Sequence, residues 1–300
     1  MLYLETFTLP SVAAQEATLN SMQHVDANVY PFKLFTEDIP TLEFAPVTIL
    51  YGGNGSGKTT ILNLIAQYLE LSRSGPYNKT KYFDTFKQLC SARLAGDDDR
   101  FPISIPADSR YIASDDVFSR ILKTRRDNEE RDLRLNEEAR NWRHDVKKVR
   151  LNTWEQGGYD QFLAHRNALR HNPVSYARSR GVSERVREYS NGENAFLYFT
   201  DAIGETGLYL LDEPENSLAP TLQLQLAEFL CASLELRTQF IIATHSPLLL
   251  SLPGARVYDL SSTPVQERPW YELENVRILH DFFLRHHRVF SKELPPRRLS

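Results

Sequence analysis

Gly52-Gly-Asn-Gly-Ser-Gly-Lys-Thr-Thr60 stands between an apolar run, Val47-Thr-Ile-Leu-Tyr51, and a helical pattern, Ile61-Leu-Asn-Leu-Ile65. Gly52, Gly57, Lys58 and Thr59 meet the spacing G-x-x-x-x-G-K-[ST]. The bare spacing arises by chance, but here a strand precedes it and a helix follows, the context that a phosphate loop requires. Each residue type has a task. Glycine permits φ > 0, which brings backbone N–H groups close to an anion. The helix that starts here aims its free N–H groups and positive end at the same place. Asn54, Gly55, Ser56 and Thr60 complete the cradle. Lys58 is suited to β/γ-phosphate oxygens and the Thr59 hydroxyl to Mg²⁺. The stretch reads as a nucleotide-phosphate loop.

Three hundred residues are ample for a large core in one or two domains. The apolar share of 41% and charged share of 25% are those of a soluble globular chain. No apolar run reaches the roughly eighteen residues of a membrane span, and the amino terminus has no secretory pattern. Cys90 and Cys231 are isolated thiols without metal-ligand spacing, which fits a reducing cytoplasm. The net charge of −4 is unevenly spread. Residues 119–190 hold 17 Lys/Arg against 11 Asp/Glu, and the remainder holds 18 against 28. A basic segment on an acidic body suits either an anionic partner or a solvated helix surface.

Residues 1–51 read as β-rich, with alternation in Leu2–Leu9, Tyr30–Thr36 and Thr41–Phe44 before the strand at 47–51. Between them, Gln15–Ala27 is a polar loop or short helix. Tyr30, Phe32 or Phe35 could face an adenine, although a strand aromatic usually packs in the core. A helix is expected from Lys58 to Leu71, ended by Ser74-Gly-Pro76. Residues 76–108 give a mixed pattern, with Asp97-Asp-Asp99 in an exposed loop. Ser109–Ala113 reads as a strand. A long charge-laced helix covers 119–150, Gly157-Gly158 breaks it, and a second helical stretch covers 159–169. Its apolar face is thin. His144, His165 and His171 lie there as surface residues. Helices at 195–203 and 220–236 then alternate with strands at 207–212 and 240–243. A strand at 257–260 and a helix at 273–290 follow, then a loose tail. The fold class is α/β: a mostly parallel core sheet, an amino-terminal antiparallel β subdomain and an inserted helical arm. The division is 1–118 and 173–290 for the two halves of the core, 119–172 for the arm and 291–300 for the tail.

Leu208-Tyr-Leu-Leu-Asp212 supplies the carboxylate that a phosphate loop needs near Mg²⁺, and Glu213 adds a second acid suited to activating water. The order Gly52–Thr59, Ser190-Asn-Gly-Glu193, Leu208–Glu213, Ser217-Leu218 and Ala243-Thr-His245 resembles an ABC-type P-loop ATPase. It is similar to the SMC/RecF-like branch of stand-alone ATPases with an inserted helical arm. The resemblance implies that Ser190 and Gly192 belong to a signature that meets the γ-phosphate held by a second subunit. Ser190 and Glu193 also have capping-box spacing, so an ordinary capped helix is the plainer reading of that stretch alone. Ser217-Leu-Ala219 corresponds to the loop between the two sites, with Pro220 where Asp is common. His245 corresponds to the switch histidine. The family's Gln between loop and signature is missing; the matching strand end reads Tyr111-Ile-Ala-Ser-Asp-Asp116, leaving Ser114 or Asp115 for its task.

The phosphate loop and the Asp212-Glu213 pair, with the resemblance, imply ATP and Mg²⁺ as cofactors, Lys58 and Glu213 as catalytic groups and Thr59 and Asp212 as metal ligands, and the resemblance adds His245 to the catalytic groups. The expected function is an ATP-hydrolysing homodimer switch in DNA repair or defence-related processing, without a membrane partner. Arg125, Arg126, Lys147, Lys148, Arg150, Arg178 and Arg180 are candidate nucleic-acid contacts, for DNA or RNA. A different class is a regulatory ATP-binding module that gates a toxin, nuclease or similar partner effector. A transporter's nucleotide-binding subunit fits less well, because the Gln is missing and the arm is inserted.

Overall fold

The computed structural model describes residues 2–22, 24–76, 79–96, 104–148, 166, 172–186 and 190–290. The first half contains β1 (Leu4–Thr8), α1 (Val12–Ser21), β2 (Leu42–Glu43), β3 (Val47–Tyr51), α2 (Lys58–Tyr68), β4 (Ser72–Arg73), α3 (Phe83–Gln88), β5 (Ser91–Leu94), β6 (Arg110–Ala113) and α4 (Ser114–Lys148). The second half contains α5 (Pro173–Ser179), α6 (Asn191–Ala202), β7 (Thr206–Asp212), α7 (Pro220–Leu234), β8 (Arg237–Ala243) and α8 (Pro247–Leu250). It closes with β9 (Arg256–Asp259), β10 (Gln266–Glu267), α9 (Glu274–Arg285) and α10 (His287–Phe290).

The chain divides into two compact units, residues 1–117 with 191–300 and residues 118–190. In the first, the described strands form a seven-stranded sheet of order β10-β9-β3-β8-β7-β6-β4. Every pairing in it is parallel except β10 with β9. Val47–Tyr51 and Leu208–Leu211 are buried throughout, as continuous apolar runs in a parallel sheet require. A second, antiparallel sheet has the order β2-β1-β5. The expected α/β class with a mostly parallel sheet is therefore found.

Helix α2 is apolar around most of its circumference because it meets both sheets. Ile61, Leu62, Leu64 and Ile65 join Leu4, Phe7 and Leu42 on one side and Leu208, Leu210 and Ile241 on the other. This fixes the helix whose first turn carries Lys58 and Thr59.

The sheets are also joined by one buried amide. Gln239 Oε1 accepts from the N–H groups of Tyr3 (2.8 Å) and Leu4 (3.0 Å), while Nε2 donates to the carbonyls of Leu4 (2.8 Å) and Ala45 (3.3 Å). Gln239→Leu strands those backbone groups away from water. The expected loss is about 3 kcal/mol in urea unfolding, at the scale of a few unsatisfied buried groups. A change under about 1 kcal/mol would refute this tie.

Two sequence expectations are corrected. Tyr30–Thr36 is a series of turns, not a strand. Pro31 has no N–H to give a ladder and Lys33 has φ +62°, while Phe32 N–H bonds Val29 and Leu34 N–H bonds Pro31. The expected terminal helix is two, parted at His286. The mixed stretch 76–108 contains α3 and β5. Burial pushes the Cys90 thiol up to about 12, which keeps it an inert core group.

In the second unit, α4 is pinned to an extended segment. Buried Asn128 donates to the Val186 carbonyl at 2.9 Å and accepts from its N–H at 3.0 Å, and Arg131 donates to the Ser183 carbonyl. Asn172 caps α5 by accepting from Ser175 N–H at 2.8 Å. The expected Asp97-Asp-Asp99 loop, the Gly157-Gly158 break, the helix at 159–169, His165, His171 and the tail lie outside the described residues. His144 is exposed.

Candidate nucleotide-phosphate site

The C-terminal edge of β3 turns through the loop into α2. Gly57 sits at the helix N-cap with φ +94°, and a Cβ there would come within 2.5 Å of the Phe35 ring. Only glycine satisfies both demands. Lys58 is 4% exposed, and its ammonium donates to the carbonyls of Gly52 (2.7 Å) and Gly53 (3.1 Å). Burial lowers its pKa, and the carboxylates of Glu213, Asp212 and Glu215 oppose that shift. Thr60 Oγ1 meets the Tyr30 hydroxyl at 2.9 Å.

Parallel pairing brings the ends of β6, β7 and β8 beside this loop. Asp212 ends β7, and its Oδ1 accepts from the Thr59 hydroxyl at 3.1 Å. Burial raises the Asp212 pKa, against two hydroxyl donors, Tyr111 and Thr59, that favour the carboxylate. Glu213 follows at φ +48°, a region costly for a side chain with a Cβ. Its N–H is held by the Ala243 carbonyl at 2.8 Å. Its carboxylate accepts from Asn216 Nδ2 at 2.9 Å and lies 3.4 Å from His245 Nε2.

The histidine's segment is itself clamped. Glu215 Oε1 accepts from the N–H groups of His245 (2.6 Å) and Ser246 (3.2 Å), and Asn275 Nδ2 donates to the His245 carbonyl at 2.7 Å. Bonds to a charged acceptor are worth about 1.5–3 kcal/mol. Glu215→Ala is therefore expected to speed amide exchange at His245 and Ser246 by about 10–100-fold. Unchanged exchange would show that the clamp does not hold this segment.

A cavity of about 650 Å³ opens over the loop, lined by Asn54, Gly55, Gly57, Lys58, Thr59, Thr60, Asp212 and Glu213 among others. Gly52 and Ser56 form the loop's base, where a Cβ on Gly52 would meet Ser56 Oγ at 2.5 Å. Ala113, Ser114 and Asp115, at the end of β6, line one wall of the cavity. Ser114 Oγ accepts from Asn216 Nδ2 at 3.3 Å, so Asn216 touches both that wall and Glu213. Gly192, in the first turn of α6, packs where a Cβ would meet the Ser217 carbonyl at 2.9 Å. Ser190 belongs to the second unit and is exposed. In that unit Arg178 pairs with Glu184 at 2.9 Å and Arg180 with Glu138 at 3.7 Å, while Arg125 and Arg126 are exposed. The side chains of Lys147 and Lys148, and all of Arg150, lie outside the described residues.

The donor set suits Mg²⁺. Among the described residues no three His, Cys, Asp or Glu side chains form a metal cage. Thr59 and Asp212 instead supply two oxygens at an open cavity, as for an ion that retains water and takes phosphate oxygens. Also among the described residues, no helix is long and apolar enough to cross a membrane.

Residues 113–251 match the family described as "AAA domain, putative AbiEii toxin, Type IV TA system". The match spans Asp212, Glu213 and His245 but not the phosphate loop. No curated protein matches the chain. Similar solved structures include the Smc head domain with an extended coiled coil, bound to the C-terminal domain of ScpA, from Pyrococcus furiosus. Its identity is 13%, covering 94% of this chain and 100% of that one, with a TM-score of 0.43. The SMC head domain from Thermotoga maritima is 13% identical over 89% and 99%, with a TM-score of 0.37. A nucleotide-free ATP-binding cassette from an ABC transporter is 14% identical over 94% and 96%, with a TM-score of 0.40. With its phosphate loop and its mostly parallel sheet the chain has an α/β fold of the P-loop type, and its residues 113–251 are similar to that AAA family.

Proposed function

We propose that the chain binds ATP with Mg²⁺, hydrolyses it, and switches between open monomers and a closed homodimer in the cytoplasm. One observation carries the reading: buried Asp212 bonds the Thr59 hydroxyl, with Glu213 next in the chain and His245 within 3.4 Å of it. Loop N–H groups from Asn54 to Thr60 and the Lys58 ammonium hold the phosphates at the positive end of α2. Thr59 and Asp212 would hold Mg²⁺, which would neutralise charge on the phosphates. Glu213 orients the attacking water and accepts its proton as the water oxygen bonds the γ-phosphorus and the β–γ bridging oxygen leaves with ADP. His245 Nε2 donates to the γ-phosphate. Ser190 and Gly192 of the second copy complete the γ-phosphate site, so the closed state lasts until that phosphate departs. Calorimetry with ATP and Mg²⁺, followed by phosphate release, tests the reading; absence of binding at millimolar ATP refutes it.

The output passes to DNA, RNA or a partner effector, in DNA repair or defence. A second reading is favoured by the description of the matched family, which names a toxin of a toxin–antitoxin system. There the chain is an ATP-binding module that gates a toxin or nuclease and turns over slowly. DNA-stimulated hydrolysis favours the first reading, and a stable ATP-dependent partner complex favours the second.

A further inference from the structure

Asp212 is held from two sides. Thr59 reaches its Oδ1 from the cavity, and the Tyr111 hydroxyl donates to its Oδ2 at 2.7 Å from the core. Tyr111 lies on β6, paired with Leu210, and is 1% exposed. Its ring lies under the Arg73 guanidinium, 4.1 Å from the centroid, and Arg73 bonds Asn63 on α2. A phenylalanine would fill the same volume without burying a hydroxyl, so the cost of that hydroxyl is offset at Asp212. The same strand ends at Ala113-Ser114, where no Gln stands.

We propose that Tyr111 is a positioning residue for the Asp212 carboxylate: its hydroxyl fixes the rotation of Asp212 so that Oδ1 faces Thr59, the residue with which it would hold Mg²⁺. The inference rests on the ATP–Mg²⁺ reading above. Hydrogen-bonding partners of a metal-binding carboxylate typically govern affinity by 10–100-fold.

The test is Tyr111→Phe, which keeps the ring and the stacking on Arg73. Binding of a non-hydrolysable ATP analogue is measured by calorimetry at graded Mg²⁺ and in EDTA. The expected result is a rise of about 10-fold or more in the Mg²⁺ concentration that half-saturates the effect, with unchanged affinity in EDTA. A packing role would instead weaken both. A Mg²⁺ midpoint within twofold of the native protein, or an equal loss in EDTA, overturns the inference. Should the native protein fail to bind the analogue under either condition, the ATP reading itself falls.

Discussion

Glu213→Gln is expected to lower ATP turnover by about 10²–10⁴-fold, the share of a positioned general base, while ATP affinity stays within about twofold. Glutamine keeps the volume and an acceptor for Asn216, but it lacks the carboxylate that accepts a proton. The backbone prepares this position. Glu213 is fixed at φ +48° by its N–H bond to Ala243, and its carboxylate is placed between Asn216 and His245. Strain of this kind persists only where the surroundings over-determine it. Phosphate release measured at saturating ATP decides the matter. Native-like turnover in the variant would remove Glu213 from the chemistry.

Lys58→Met is expected to weaken ATP binding by about 10²–10³-fold, the scale of losing one preorganised charge-stabilising donor. The same change should leave thermal stability equal or higher. Lys58 as a residue is 4% exposed, and burial has lowered its pKa. A lysine whose folded pKa lies below its unfolded value costs stability while both states are charged. That cost is relieved only as pH climbs from the folded value towards the unfolded one. At neutral pH a methionine of similar volume removes it. Calorimetric binding and a melting curve read the two effects separately. Tight ATP binding by the variant, or a melting temperature lowered by many degrees, would contradict the assigned role.

What could be read from the sequence was chemistry local in the chain. The phosphate loop is nine consecutive residues, and a buried strand ending in Asp212-Glu213 announces itself by composition. Alternation of apolar runs with helical patterns was sufficient for the parallel sheet. Contacts between distant segments were hidden. Tyr111 and Asp212 are 101 residues apart, and Gln239 reaches Leu4 across 235. A tyrosine in a strand reads as core, and only the fold reveals its hydroxyl's partner. Glu215 and Asn216 lie within three residues of Glu213, yet nothing local says that one clamps the histidine segment and the other touches Glu213. Residues 30–36 alternate as a strand does, but Pro31 and the left-handed Lys33 turn them over the loop, with Phe35 beside Gly57.

The central claim is the nucleotide-dependent dimer, and light scattering on Glu213→Gln with and without ATP and Mg²⁺ tests it most directly. The account predicts the mass of one chain, 34.6 kDa, without nucleotide and twice that mass with it. A mass that stays at one chain while calorimetry shows ATP bound would contradict it.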